Sequence, residues 1–262
     1  MDGTSYIAVV LAADRSSGDP LAEAAGVSSK CLVPAGGKPM VLRVLDTLQE
    51  AREVKAVILC GPGRSVVEGT AALAARITSG KVTWVMNRES PSLSTSHVLL
   101  TLPDTNPVVV TTADHALLTA PMVDYFCSEA RSTGADIVVG LAAHPVVQAA
   151  FPETRRTVIR MREGGYCTCN LFAFLTPQSR SVADFWRRVE RERKRTFRVV
   201  GAFGWWSVIL YLLRLISLKQ GLERISRRLG LRAAAVLMPF AEAAVDVDTV
   251  RDWKLVEARL SR

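Results

Sequence analysis

YIAVVLAADRSSGDPLAEAAGVSSKCLVPAGGKPM, residues 6–40, opens with an apolar run that does not hand over directly to a helix. Ile7 to Leu11 is short, apolar and rich in β-branched residues, which suits a buried central strand of a parallel sheet. A long polar loop follows, holding Arg15, Gly18, Lys30, Gly36, Gly37 and Lys38, and Pro39 then starts an amphipathic helix. Loops of this length inside a compact domain are uncommon and tend to be functional. Cations and glycines at the carboxyl end of a strand are expected to form an anion pocket, with backbone N–H groups and point charges facing a polyphosphate. The competing expectation is a surface loop with solvated lysines.

Downstream, Val41, Val44, Leu45 and Leu48 recur at helical spacing, and Val54–Cys60 reads as a second buried strand ending in Gly61-Pro62-Gly63. Val66 to Ile77 predicts an alanine-rich helix and Val82–Met86 a third strand. Ser94 is expected to cap a helix through Leu102, with Val98, Leu99 and Leu102 facing inward. Val108–Val110 is a fourth strand, Pro121 to Thr133 a helix and Ile137–Leu141 a fifth strand. This alternation predicts a doubly wound, mostly parallel α/β sheet whose ligands sit beyond the carboxyl ends of the strands. Past residue 150, Thr157–Met161 and Leu171–Leu175 read as two strands around the turn Glu163-Gly164-Gly165, an antiparallel excursion from the sheet. Ala233–Leu237 is the last strand and Val250–Arg262 the closing helix.

The chain has 262 residues, 49% hydrophobic and 22% charged, which predicts a single globular domain, with a helical insert at about 181–230. Five cysteines without a framework of spacings fit a reducing cytoplasm, and Cys167-x-Cys169 has no second pair to make a zinc site. No secretory signal is expected at the start, and no apolar run reaches the roughly 18–20 residues of a membrane span. The net charge of +8, concentrated between residues 155 and 232, implies an anionic partner.

Asp114 stands directly after the strand VVVTT, and Asp246 and Asp248 just before the last helix. Residues at strand ends of a doubly wound sheet converge on one cleft. Two carboxylates facing a triphosphate suit Mg²⁺, which prefers one or two carboxylates plus phosphate oxygens and water. On this basis Asp114 and Asp246 are the expected metal ligands, and Asp248 the expected cap of the closing helix.

Four stretches together are similar to the MobA-like NTP transferases, a nucleotidyltransferase family that shares its fold with the cytidylyltransferases and sugar-phosphate nucleotidyltransferases. VVLAAD…SSKCLVPAGGKPMVLRVLDTL resembles the family's glycine-rich opening signature, SLSTSHVLL its nucleotide-contacting serine segment, VVVTTADHALLT its strand with the metal-binding aspartate, and AAVDVDTVRDWKLVEARL its terminal acidic segment. The resemblance implies a Mg²⁺-dependent transfer of an NMP group to a phosphorylated acceptor such as a polyol or sugar phosphate. Lys30 and Asp114 would then be catalytic. Ala12, Ala13, Arg15, Lys30, Ser94, Ser96 and Asp114 would bind nucleotide, Asn170 and Tyr166 the acceptor, and Asp114 with Asp246 the metal. CTP is the favoured nucleotide, with GTP next. The compact G-x-G-x-R of the family is DRSSGDP here, with Asp14 at the first glycine's place. A nucleotide-binding scaffold without turnover is therefore an alternative. A nucleotide-sugar glycosyltransferase is another, although Asp114-His115-Ala116 lacks its D-x-D.

Residues 187–232 exceed what such an enzyme needs. Val199–Leu213 is uncharged, but as a helix it would reach only about 22 Å, short of the roughly 30 Å hydrocarbon core. Trp205, Trp206 and Tyr211 flanked by Arg198, Arg214 and Lys219 fit either a subdomain packing onto the core or a second subunit, or peripheral contact of 198–219 with an anionic membrane. No nucleic-acid partner is expected.

Overall fold

The structure is a computed structural model, and it describes residues 5–14, 18–182, 186 and 214–261. Its centre is an eight-stranded sheet. In chain order the large strands are β1 (Tyr6–Leu11), β4 (Val54–Cys60), β5 (Thr83–Val85), β6 (Val108–Thr112), β7 (Ile137–Ala143), β8 (Ile159–Met161), β9 (Gly164–Phe174) and β10 (Ala233–Met238). The spatial order is β10-β7-β9-β6-β1-β4-β5, with β8 paired to β9. All pairings are parallel except those of β9, which runs antiparallel to β6, β7 and β8.

Side-chain alternation along β1 sorts the helices onto two faces. Tyr6, Ala8 and Val10 pack with α2 (Met40–Glu50) and α6 (Ala120–Ser132), while Ile7 and Val9 pack with Val98 and Leu99 of α5 (Pro91–Thr101). Period-two burial on strands and period-3.6 burial on helices thus build one core on each side of the sheet.

The sequence differs from the structure at several elements. The segment expected as a plain loop after β1 contains α1 (Pro20–Ala25), a 3₁₀ turn at Lys30–Leu32, and a hairpin of β2 (Pro34–Ala35) with β3 (Lys38–Pro39). Asp19 caps α1, accepting from the amides of Leu21 and Ala22. Gly36 and Gly37 make the two-residue turn, both at positive φ (57° and 73°), the geometry that tight hairpins require.

The single helix expected over Val66–Ile77 is two, α3 (Arg64–Gly69) and α4 (Ala71–Thr78), broken where extended Thr70 turns its hydroxyl back on the Val66 carbonyl. Ser94 does not cap α5; Ser90 does, and Ser94 is buried one turn further in. The β8–β9 turn is Arg162-Glu163, and β9 starts seven residues before the expected Leu171. Far from leaving the sheet, β9 inserts between β6 and β7, burying Cys167, Cys169, Leu171 and Ala173 on one face.

Among the described residues of the basic region, Leu218–Leu229 forms a helix (α8) behind a Ser217/Gln220 capping box. Most of the aromatic stretch expected at an interface lies outside the described residues. The closing helix, α9 (Val250–Leu260), is capped by Thr249 with Asp252, so Asp248 is not its cap. All five cysteines are buried and unpaired.

Candidate active site

The carboxyl ends of β1 and β6 and the segment entering α9 meet at one place. The connection is a second, smaller core in which Leu21, Val33, Ala35 and Met40 of the opening segment pack with Val245, Val247 and Val256 of the closing one. Trp253 Nε1 donates to the Pro34 carbonyl at 2.6 Å, and the Gly36 amide donates to Glu257 Oε1 at 2.8 Å. The Val247 amide donates to the Asp114 carbonyl at 3.0 Å, which locks the acidic segment against the end of β6. Residues more than two hundred positions apart are therefore held in register by apolar packing and backbone bonds.

Lys30, at the start of the 3₁₀ turn, projects its ammonium between two carboxylates, 2.6 Å from Asp114 Oδ2 and 2.6 Å from Asp248 Oδ1. Burial opposes the charge on Lys30, but the two carboxylates outweigh it, and its pKa is held above the ordinary lysine value. The second Asp114 oxygen, Oδ1, is buried and has no hydrogen-bond partner. Asp246, two residues before Asp248, has a different set of partners: Arg156 grips both its carboxylate and its carbonyl, and Asn170 Nδ2 donates to its Oδ2 at 2.6 Å.

Asn170 reaches Asp246 because of a backbone irregularity. It has φ 48°, unusual for a residue other than glycine, where the β7–β9 register shifts between Val139 and Leu141. Gly140 faces this bulge; a Cβ there would lie 3.2 Å from that of Leu171. Tyr166 lies nearer the start of the same strand, opposite Ala143, half-buried.

The other expected site residues are placed as follows. Ala12 and Ala13 line the end of β1, the Ala12 amide bonded to the Cys60 carbonyl. Arg15 lies outside the described residues. Ser94 turns inward and its hydroxyl accepts the Arg88 amide at 2.9 Å, while Ser96 is half-buried on the same helix. Lys38, expected among the pocket cations, is instead paired with Asp46, whose other oxygen holds Arg76. Asp14 accepts the Lys30 backbone amide at 3.0 Å. His115, next to Asp114, is fully buried; desolvation pulls its pKa down to about 4 against the opposing charge of Asp114.

Arg156 and the role of Asp248 escaped the sequence. Arg156 sits in ETRRT, where no period or spacing separates a site residue from a solvated one. Asp248 precedes a good capping residue, so its local pattern pointed to the helix.

Among the described residues no group of three or more His, Cys, Asp or Glu is placed to hold a metal ion. The donor set still suits a hard divalent cation that takes its remaining ligands from phosphate and water. Asp114 has an unpartnered buried oxygen, and a carboxylate oxygen that accepts one bond keeps a further lone pair.

A profile of the MobA-like NTP transferase domain matches residues 8–165. The chain belongs to this family. Its fold is that of a transferase from Thermus thermophilus described as hypothetical, at 30% identity and TM-score 0.78, covering 95% of this chain and 99% of the other. It also overlays 4-diphosphocytidyl-2C-methyl-D-erythritol synthase of Anaerococcus prevotii (15% identity, TM-score 0.60, 100% and 98% covered). CMP:2-keto-3-deoxy-manno-octonic acid synthetase complexed with CTP overlays at 16% identity and TM-score 0.59, with 98% and 99% covered. No curated protein matched significantly. The fold is thus nucleotidyltransferase-like and shared with cytidylyltransferases.

Proposed function

We propose that the protein transfers a nucleotidyl group from a nucleoside triphosphate, CTP before GTP, to a phosphorylated small molecule such as a polyol or sugar phosphate. An oxygen of the acceptor phosphate forms a bond to the α-phosphorus while the bond to the bridging oxygen breaks and pyrophosphate leaves. A phosphate monoester is already nucleophilic near neutral pH, so positioning and charge neutralisation carry the rate. The observation behind this reading is Lys30 held between Asp114 and Asp248 at the strand ends. When triphosphate enters, Lys30 exchanges its Asp114 carboxylate for an α-phosphate oxygen.

Mg²⁺ would be held by Asp114 and Asp246, and its chemistry there is charge neutralisation on the phosphate oxygens. Ala12, Ala13, Arg15, Ser94 and Ser96 complete the nucleotide contacts in this reading. Asn170, already fixed on Asp246, and Tyr166 face the acceptor side. CTP is favoured because the synthetase of similar fold is described with CTP and another neighbour makes a diphosphocytidyl product.

One contact supports a second reading, nucleotide binding without turnover. The Asp14 carboxylate occupies the Lys30 amide, a donor that an incoming phosphate would otherwise use. Melting with CTP, GTP, UTP and ATP, each with and without Mg²⁺, followed by pyrophosphate release with phosphorylated acceptors, separates the two. A ligand at 100 times its Kd adds about 2.7 kcal/mol of stability. A Mg²⁺-dependent shift without pyrophosphate release from any polyol or sugar phosphate favours the second reading. No shift with any nucleotide removes both.

The protein is also proposed to sit in the cytoplasm and to touch anionic membrane peripherally. No helix among the described residues is long and apolar enough to cross a bilayer. α8 carries Leu218, Leu222, Ile225 and Leu229 on one side and Lys219, Arg224, Arg227 and Arg228 around them, and none of its residues is fully buried. Such a helix suits a headgroup surface.

A further inference from the structure

The start of α7 (His144–Ala150) and the loop that follows it form a half-open cavity of about 250 Å³, lined by His144, Val147, Gln148, Thr154, Arg155 and Arg156. Five of these six side chains carry hydrogen-bonding groups, two are permanent cations, and none is a carboxylate. Thr154 is only 8% exposed, and its hydroxyl has no hydrogen-bond partner. A buried hydroxyl without a partner is unfavourable, so native proteins rarely leave one unless something else binds it. Arg155 is exposed and has no ion pair among the described residues.

The cavity shares a wall with the transfer site. Arg156 lines it, and the same guanidinium holds Asp246, which also takes the Asn170 amide. His144 stands at the carboxyl end of β7, the same edge of the sheet as Asp114 at the end of β6. Its Cβ lies 3.2 Å from where a Cβ on Gly165 would be, so the glycine lets the imidazole approach β9. That volume lies below the roughly 300–1,000 Å³ of pockets that take drug-sized ligands. That is room for one anionic group and a few carbons, not for a second nucleotide.

We propose that this cavity is an anion site that receives the far end of the acceptor. The substrate class is then a small two-headed acid: one phosphate attacks, and a second phosphate or a carboxylate docks on Arg155, Arg156, Thr154 and His144. This rests on the nucleotidyl-transfer reading, because that reading puts the attacking phosphate beside Asp246 and Asn170.

The test uses glycerol 3-phosphate, with one anionic group, and 3-phosphoglycerate, with two at opposite ends of a three-carbon chain. Calorimetric titration of the wild-type chain should give about tenfold tighter binding of the two-headed probe, a typical gain from one charge-assisted contact. Arg155→Ala and Thr154→Val, each checked for folding by circular dichroism, should abolish most of that preference. Lys30→Ala should keep it. Equal affinity for the two probes, no binding of either at millimolar concentration, or a preference that disappears only with Lys30→Ala would overturn the proposal. The nucleotide-dependent melting shift is measured in the same proteins and should survive Arg155→Ala. Its absence from the wild type overturns nucleotidyl transfer separately, while an Arg155-dependent preference would still establish the anion site.

Discussion

Lys30 stands at the meeting point of two carboxylates, and in the proposed reaction its charge is what meets the phosphate. Losing one preorganised electrostatic contact commonly costs about 10² to 10³ in rate. Lys30→Ala should lose kcat by that order in a pyrophosphate-release assay, and Asp114→Ala at least as much. Full turnover in Asp114→Ala with Mg²⁺ would show that the site is elsewhere. The neighbouring His115 makes a different prediction. Burial holds its pKa near 4, below the roughly 6.5 of an unfolded chain, so the folded state resists a proton that the unfolded state accepts. Its contribution is complete above pH 6.5 and declines by about 1.4 kcal/mol per pH unit down to about pH 4. Urea unfolding at pH 7, 6 and 5 should show this slope, and His115→Leu should flatten it. An unchanged slope in the variant would assign the acid sensitivity to other groups.

The element on which the site depends is the β2–β3 hairpin clasped by α9. Gly36 has φ 57°, and a Cβ there would stand 3.0 Å from the Leu260 Cβ. Gly36→Ala should therefore cost about 1–2 kcal/mol for the left-handed backbone, plus whatever displacement of α9 the contact forces. A lower urea midpoint together with a smaller nucleotide melting shift is the expected result, since α9 follows directly on Asp246 and Asp248. A lower midpoint with an unchanged nucleotide shift would mean that the clasp serves stability alone. The same scale explains why some elements could not be read. The break falls at Gly69-Thr70, where a poor helix former and one hydroxyl bond interrupt an apolar periodicity that continues through it, and β9 opens on Gly164 and Gly165 and carries Asn170, residues that weaken a strand signature.

At the scale of the whole molecule, the excess charge and the amphipathic α8 predict a salt-sensitive attachment to anionic vesicles. In a flotation experiment the chain should rise with phosphatidylserine-containing liposomes at low salt and be released at high salt, as screening shortens the Debye length. Protein that stays at the bottom at low salt would end the membrane proposal. The sequence by itself determined the doubly wound alternation, because apolar runs of strand length and helical spacing reflect local burial. It also determined the family, because four motifs stand in the family's order. Lys30 and Asp114 were legible as candidates for the same reason, each belonging to a motif, and the structure brings the two side chains together. Only the tertiary structure decided that Asp248 shares Lys30 with Asp114, that Asp246 belongs to Arg156 and Asn170, and that Lys38 turns away to Asp46. Those pairings join residues up to 218 positions apart. They depend on which strand ends the packing of two cores brings together, and no local pattern encodes that.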